Sequence, residues 1–288
     1  MLLILACTAP KPRPIHPGAD TRAVDSAVDW DSGADTGPLT HADVVIVGGG
    51  GSGLAAAVTA LDAGADVLII EREAALGGSG THAGNYFAAG TALQAEVGVV
   101  DSPALALEEW SSFTNGGDPS HPWVQNFVRD SAENLAWLGS YGAVFGGLNG
   151  EAVGSVRRLH TLVSTDKGHP LDTMAALVGD GAWLETTGTG LVTEGGAVVG
   201  VAVEQADGIT GWISAGAVVV ATGGFARSDA RVYAALPALK ALPRHSGSRP
   251  GTDGSGLDLT DIVTVRMLFG PTYGTAAALL TLDALRSD

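Results

Sequence analysis

Apolar residues in this chain gather into runs whose spacing predicts a few elements clearly. Residues 43–48 (DVVIVG) and 67–70 (VLII) are short, continuous and rich in β-branched side chains. That is how strands covered on both faces of a parallel sheet read. Between them residues 54–64 (LAAAVTALDAG) read as a helix, with Gly64 as its stop. Strand, helix and strand therefore follow one another within about thirty residues, the length of a βαβ unit. Further on, Asp101, Ser102 and Pro103 form a helix start, a polar cap followed by proline in the first turn. Across residues 122–138, Val124, Phe127, Val128, Leu135 and Leu138 have the spacing of an amphipathic helix whose aromatic residues belong to a core.

Composition narrows the class. At 288 residues and 45% hydrophobic content the chain is long enough for one large domain or two smaller ones. Its 42 glycines carry no three-residue period, which excludes collagen and points to tight turns and close backbone approaches. A net charge of -16, with no cluster of Lys and Arg, argues against nucleic acid as a partner. Cys7 is the single cysteine, so no intrachain disulfide, thiolate zinc cluster or iron–sulfur site can form, and any redox chemistry must come from a bound cofactor. No Ser-His-Asp ordering or metal-ligand spacing stands out.

Residues 4–7 (ILAC) follow an apolar start and are similar to a bacterial lipobox, in which the cysteine is lipidated and becomes the mature N-terminus. The leader is shorter than the about 15–30 residues of a secretory signal and lacks its basic n-region, so a start placed too late and chance both stay open. Residues 10–39, rich in Pro, Asp, Gly and Thr, suit a solvated tether. The lipobox reading places the protein in the bacterial cell envelope or periplasm, attached to a membrane through Cys7; the alternative is cytoplasmic. No later run approaches the about 18 apolar residues of a membrane span.

The chemistry lies at the first strand's end. Residues 48–53 (GGGGSG) satisfy G-x-G-x-x-G, directly after a strand and opening a helix. Glycines let a diphosphate touch the backbone, and the helix N-terminus supplies N–H donors and partial positive charge. Glu71, just past the second strand, is placed to accept hydrogen bonds from ribose hydroxyls. A glycine motif alone is weak evidence. Strand, helix, strand and acid in this order identify a dinucleotide site.

The segments beyond the acid resemble one family. Residues 71–79 (EREAALGGS), the glycine-rich 84–91, the strand-plus-ATGGF signature at 219–225 (VVATGGF) and residues 250–254 (PGTDG), similar to T-G-D-G, occur in the order of the fumarate reductase and succinate dehydrogenase flavoproteins. The likeness is to their soluble branch, with flavocytochrome-type fumarate reductases, urocanate reductase and ketosteroid dehydrogenases, and it covers roughly residues 42–259. Residues 190–203 resemble that family's β-meander, with a tight turn at Gly195 and Gly196. The resemblance implies non-covalent FAD held by Gly48, Gly50, Ser52 and Gly53 on the turn and by Glu71 and Arg72 after the second strand. It adds Gly78, Ser79 and Gly84 in the next loop, Val192 in the meander, Ala221, Thr222 and Gly223 in the signature, and Asp253. Some members link FAD to a histidine near His82, but the register does not match. Arg158 and His160 resemble an Arg-x-His element of the soluble branch and are read as structural, and Asp62 and Asp66 as a solvated face.

The expected fold is therefore α/β: a leader and tether over residues 1–41, a Rossmann-like FAD/NAD(P)-binding domain with β-meander over 42–240, and over 241–288 an incomplete continuation toward the family's capping domain. Residues 260–288 match nothing in that cap, so no catalytic residue is assigned, and a fragment, a frameshift and a functional short form all stay open. The resemblance implies hydride transfer between flavin and a C–C bond next to a carbonyl or carboxylate, with a small-molecule substrate and an electron donor or acceptor. An inactive FAD-binding fragment or redox module is the alternative from another class, and an amine or amino-acid oxidase a third.

Overall fold

In a computed structural model the described residues are 37–114, 116–150, 152–163, 168–235, 237–241 and 249–259, together with the backbone of three short strands near the termini. Elements run β1 (Leu3–Ala6), β2 (Thr40–Val47), α1 (Gly51–Asp62), β3 (Val67–Ile70), β4 (Asn85–Phe87), α2 (Ala92–Glu96), α3 (Pro103–Phe113), α4 (Pro122–Arg129) and α5 (Ser131–Ser140). The remainder are β5 (Phe145–Leu148), β6 (Leu159–Leu162), α6 (Pro170–Val178), β7 (Ala182–Trp183), β8 (Thr186–Glu194), β9 (Ala197–Gln205), β10 (Thr210–Val220), α7 (Asp229–Ala235), β11 (Val265–Met267) and β12 (Leu280–Leu282). Cys7 and most of the expected tether lie outside the described residues.

Two compact units share the chain. The first gathers Met1–Gly78, Val178–Gly223 and Pro250–Ile262; the second takes Ser79–Leu177, Gly224–Arg249 and Val263–Asp288. The 250–259 segment falls in the nucleotide unit, and much of the expected FAD domain forms a separate unit.

The first unit is a sheet in the order β7-β3-β2-β10-β9-β8. Its first four strands are parallel, as a βαβ unit requires, and the last two are antiparallel to their neighbours, forming the meander with β10. The backbone of β1 pairs antiparallel with the upper half of β10, where β9 has left it. Strand β10 pairs with β2 over Ile213 to Val220 and with β9 over Thr210 to Ser214. The core is the apolar run itself: Val45, Val47, Leu68, Ile70, Val201, Val203, Ile213, Val218 and Val220 are buried together. At the meander turn Gly195 and Gly196 have φ of 58° and 80°, the two positive values a two-residue hairpin turn of matching twist demands.

In the second unit β4, β6 and β5 form an antiparallel sheet, and Ala89, Ala106, Trp110, Val124 and Val128 make a core ringed by Phe87, Leu107 and Phe113. The helix start at residue 102 forms as expected: the Ser102 hydroxyl accepts from the Leu105 N–H at 3.1 Å, and Pro103 opens α3. The helix expected across 122–138 is two. It breaks at Asp130, with φ -91° and ψ 1°, and the Ser131 hydroxyl, which donates to Val128 O at 2.8 Å, accepts the Ala89 N–H at 3.1 Å.

Candidate functional site

The glycine turn is built by contacts that leave no room for side chains. Gly48 has φ 103° and donates to Ile70 O at 2.7 Å, and a Cβ there would lie 2.7 Å from Ala221 O. A Cβ on Gly53 would lie 1.9 Å from Gly48 O, so α1 starts flush against the turn. Gly50, the N-cap of α1, differs: no side chain caps the helix, and an added Cβ would meet no atom within 4 Å. The first turn of α1 contains no acidic residue. An uncapped helix start beside open space, at the positive end of the helix dipole, is a cradle for a diphosphate.

Three segments close around this turn. Gly77 N–H donates to Gly49 O at 2.7 Å, and a Cβ on Gly78 would sit 3.1 Å from Gly50 Cα. Glu71, 9% exposed, accepts the Gly49 N–H on Oε2 at 2.7 Å and the Glu73 N–H on Oε1 at 2.9 Å. Its carboxylate shapes the turn, and its remaining lone pairs are available to ribose. Ala221 N–H donates to Val47 O at 2.8 Å, which brings the 221–223 signature beside the turn, with Gly223 at φ 79°. Gly256 packs so closely on Thr222 that a Cβ would lie 1.8 Å from its Oγ1.

Arg72 reaches the 250–255 loop. Its Nη1 donates to Asp253 Oδ2 at 3.0 Å and to Ser255 Oγ at 3.2 Å, and Nη2 donates to Gly251 O. Burial works to raise the Asp253 carboxyl, but hydrogen bonds from Arg72 and Ser255 outweigh it and bring it down to about 2.

The structure thus brings Gly48, Gly50, Gly53, Glu71, Arg72, Gly78, Ala221, Thr222 and Asp253 into one neighbourhood, with Ser52 in the first turn of α1. Val192 is not among them. It pairs with Gly200 along β8, whereas the part of β8 that meets Glu71 is Thr186, whose N–H donates to Glu71 O at 2.9 Å. At about 3.3 Å per strand residue, Val192 sits roughly 20 Å further along. Ser79 and Gly84 belong to the second unit, where Ser79 Oγ accepts the Arg249 N–H at 3.0 Å and Gly84 O accepts the Leu162 N–H at 2.9 Å. His82 is exposed in the second unit, its Nδ1 3.5 Å from Thr81 Oγ1. Asp62 and Asp66 are exposed. Gly256, Ser255 and Thr186 were not read from the sequence; their roles depend on contacts across the fold.

Arg158 and His160 sit in a buried network of the second unit. Arg158, fully buried, holds Asp101 through Nε at 2.9 Å and Nη2 at 2.7 Å, and Glu109 through Nη1 at 2.6 Å. Hydrogen bonds from Ser155 and Arg158 bring the Glu109 carboxyl down to about 2. His160, 2.7 Å from Thr91 Oγ1, is pushed down by burial and so favours its neutral form.

A family model described as an FAD binding domain matches residues 43–270. Fumarate reductase (cytochrome) of Shewanella frigidimarina is 32% identical over 234 residues, covering 78% of this chain and 40% of that protein. Among solved structures, the 3-ketosteroid-Δ4-(5α)-dehydrogenase of Rhodococcus jostii RHA1 is similar with a TM-score of 0.68 at 26% identity, over 82% of this chain and 56% of that one. The open conformation of a flavocytochrome c3 fumarate reductase has the same fold, with a TM-score of 0.69 at 24% identity over 91% of this chain and 48% of that one. The chain thus spans about two fifths of the length of the fumarate reductase it matches. With the glycine cradle, Glu71 and the signature after β10 in place, it belongs to the fumarate reductase and succinate dehydrogenase flavoprotein family, and FAD is its cofactor.

Proposed function

We propose that this chain is the cofactor-binding part of an oxidoreductase that transfers hydride between FAD and a carbon–carbon bond next to a carbonyl or carboxylate. The observation that carries the reading is the uncapped start of α1 beside the open space at Gly50, with Glu71 fixing the turn. The relatives supply the substrate class. Fumarate and a 3-keto-4-ene steroid, unlike in size, share a C=C bond conjugated to a C=O group. FAD, when bound, supplies the hydride acceptor or donor. This chain's residues bind it non-covalently: backbone N–H groups of α1 hold the diphosphate, Glu71 the ribose, and the 250–257 loop closes the other side.

The full chain is tested by reconstitution with FAD, then oxidation of a reduced dye in the presence of fumarate, urocanate or a ketosteroid enone. Turnover with one of them supports the reading. FAD uptake with no turnover on any of them favours a redox module. Flavin that stays with acid-precipitated protein would show a covalent link.

The small-molecule substrate is joined by an electron donor or acceptor, and the ILAC sequence at residues 4–7 supports lipidation of Cys7 and a place in the cell envelope. Among the described residues no helix is long and apolar enough to cross a membrane. Palmitate labelling that disappears in Cys7→Ser, with loss of the protein from the membrane fraction, tests the anchor; unlabelled wild-type protein rejects it.

A further inference from the structure

We propose that Arg72 is a positioning residue for FAD: it pins the 250–257 loop and orients Asp253, and the cofactor is gripped through Asp253, not through the guanidinium. The inference rests on the FAD reading of this site.

A cation directly after Glu71 and close to the turn looks placed to neutralise a diphosphate. Three of its five N–H donors are committed to the 250–255 loop. Nη1 serves Asp253 Oδ2 and Ser255 Oγ, and Nη2 serves Gly251 O. The loop is held at both ends. A Cβ on Gly251 would lie 2.9 Å from Glu73 Oε1 and 3.1 Å from Arg72 Nη2, so this end sits on the residues leaving β3. At the other end Gly256 sits on Thr222, just past β10.

Between these anchors both oxygens of Asp253 are held, Oδ2 by Arg72 and Oδ1 by the Ser255 N–H at 2.9 Å. Its side chain nevertheless keeps 45% of its surface exposed. An ionised carboxylate has about four lone-pair sites, so acceptor capacity remains for a hydroxyl-bearing ligand. Among the described residues, Arg72 bonds it directly, Glu73 lies at the Gly251 end of its loop, Glu71 precedes Arg72 in sequence and Asp258 follows on its own segment. Without the Arg72 cation, burial and the neighbouring acids would raise the Asp253 carboxyl. Lysine keeps the charge but not the fork that reaches Asp253, Ser255 and Gly251 together.

The test is the FAD dissociation constant of the full chain between pH 4.5 and 8, for wild type, Arg72→Gln, Arg72→Lys, Asp253→Asn and the Arg72→Gln/Asp253→Asn double variant. In Arg72→Gln the constant should climb relative to wild type as pH falls, by up to about tenfold per pH unit below the new carboxyl midpoint. That extra slope should vanish in the double variant, whose affinity should match Asp253→Asn within about threefold. Arg72→Lys should restore the wild-type slope with weaker binding. The proposal is overturned if Arg72→Gln weakens binding by one factor at every pH and salt erases the difference, because the guanidinium then contacts the diphosphate itself. Should Arg72→Gln fail to fold by circular dichroism, Arg72→Lys and Asp253→Asn decide: independent, additive losses refute the coupling and shared losses support it. Wild-type protein that takes up no FAD, or Gly50→Val that binds it normally, refutes the FAD reading. With wild-type uptake and a Gly50→Val defect in hand, the Arg72 series judges the positioning role alone.

Discussion

Gly50 allows cofactor binding to be separated from folding. Its φ of -73° is open to any residue, and a Cβ there meets no protein atom within 4 Å. Replacing a glycine N-cap by an aliphatic residue costs on the order of 1 kcal/mol. For a chain of this size that lowers Tm by about 2–4 °C. For FAD the consequence is larger, because the new side chain fills the space beside the first N–H groups of α1. Losing two charge-assisted hydrogen bonds, at about 1.5–3 kcal/mol each, removes about 3–6 kcal/mol. Gly50→Val should therefore raise the FAD dissociation constant by roughly 10²–10⁴-fold. The assay titrates apoprotein with FAD, follows the flavin fluorescence, and records a thermal melt in the same buffer. Gly53→Ala is the contrasting variant, since its Cβ would lie 1.9 Å from Gly48 O and must displace backbone. It should lower Tm well beyond the Gly50→Val value. A Gly50→Val protein that binds FAD within about threefold of wild type would refute the reasoning, as would one that unfolds.

Glu71→Gln must turn an amide NH₂ toward one of two backbone N–H donors, leaving a buried donor unsatisfied at about 1–3 kcal/mol. FAD affinity should fall at least roughly tenfold, and an unchanged dissociation constant would remove Glu71 from the site. Arg158→Met strands the fully buried Asp101 carboxylate and should cost about 3–5 kcal/mol in urea unfolding; a loss below about 1 kcal/mol would show that Gln94 and its neighbours suffice. Acid should weaken the fold over a defined window. Glu109 and Asp253 have folded carboxyls near 2 against ordinary values of 4.5 and 3.8, so their contribution is complete above about pH 4.5 and is lost as pH falls toward 2. Urea midpoints measured across that range should decline, and Glu109→Gln should flatten the decline; an equal slope in the variant would contradict the assignment.

What the sequence made legible was whatever local chemistry decides. Strands β2 and β3 are buried on both faces, so their apolar runs are continuous, and where β2 passes into α1 positions 48 and 53 must be glycine because backbone crowds them. The break at Asp130 was hidden because the helical spacing of Val124 and Val128 carries on to Leu135 and Leu138. The break is marked instead by Ser131, which takes its partner Ala89 from 42 residues away. Arg72 illustrates the same limit, since its partner Asp253 is 181 residues distant. Glu71 stands at the strand end the sequence indicates, but its bonds to the Gly49 and Glu73 amides leave no trace in residue type. The distance along β8 between Val192 and Thr186, which bonds Glu71, is likewise invisible to a period of two, which states only which face a residue takes.

The junction between β2 and β10 also sets an order of events during synthesis. His41 and Ser214 face each other across that ladder, 173 residues apart in the chain. At about 5–20 residues per second, a ribosome needs roughly 9–35 s to make that stretch. During that interval β2 and β3 have each other but not β10, and strands built for burial on both faces wait with one edge open. The glycine turn is translated early yet gains the Ala221 carbonyl it rests on only after β10. Flavin capture therefore has to wait until the 221–223 signature reaches the turn, and the open edge of β2 is the exposed one until β10 pairs with it.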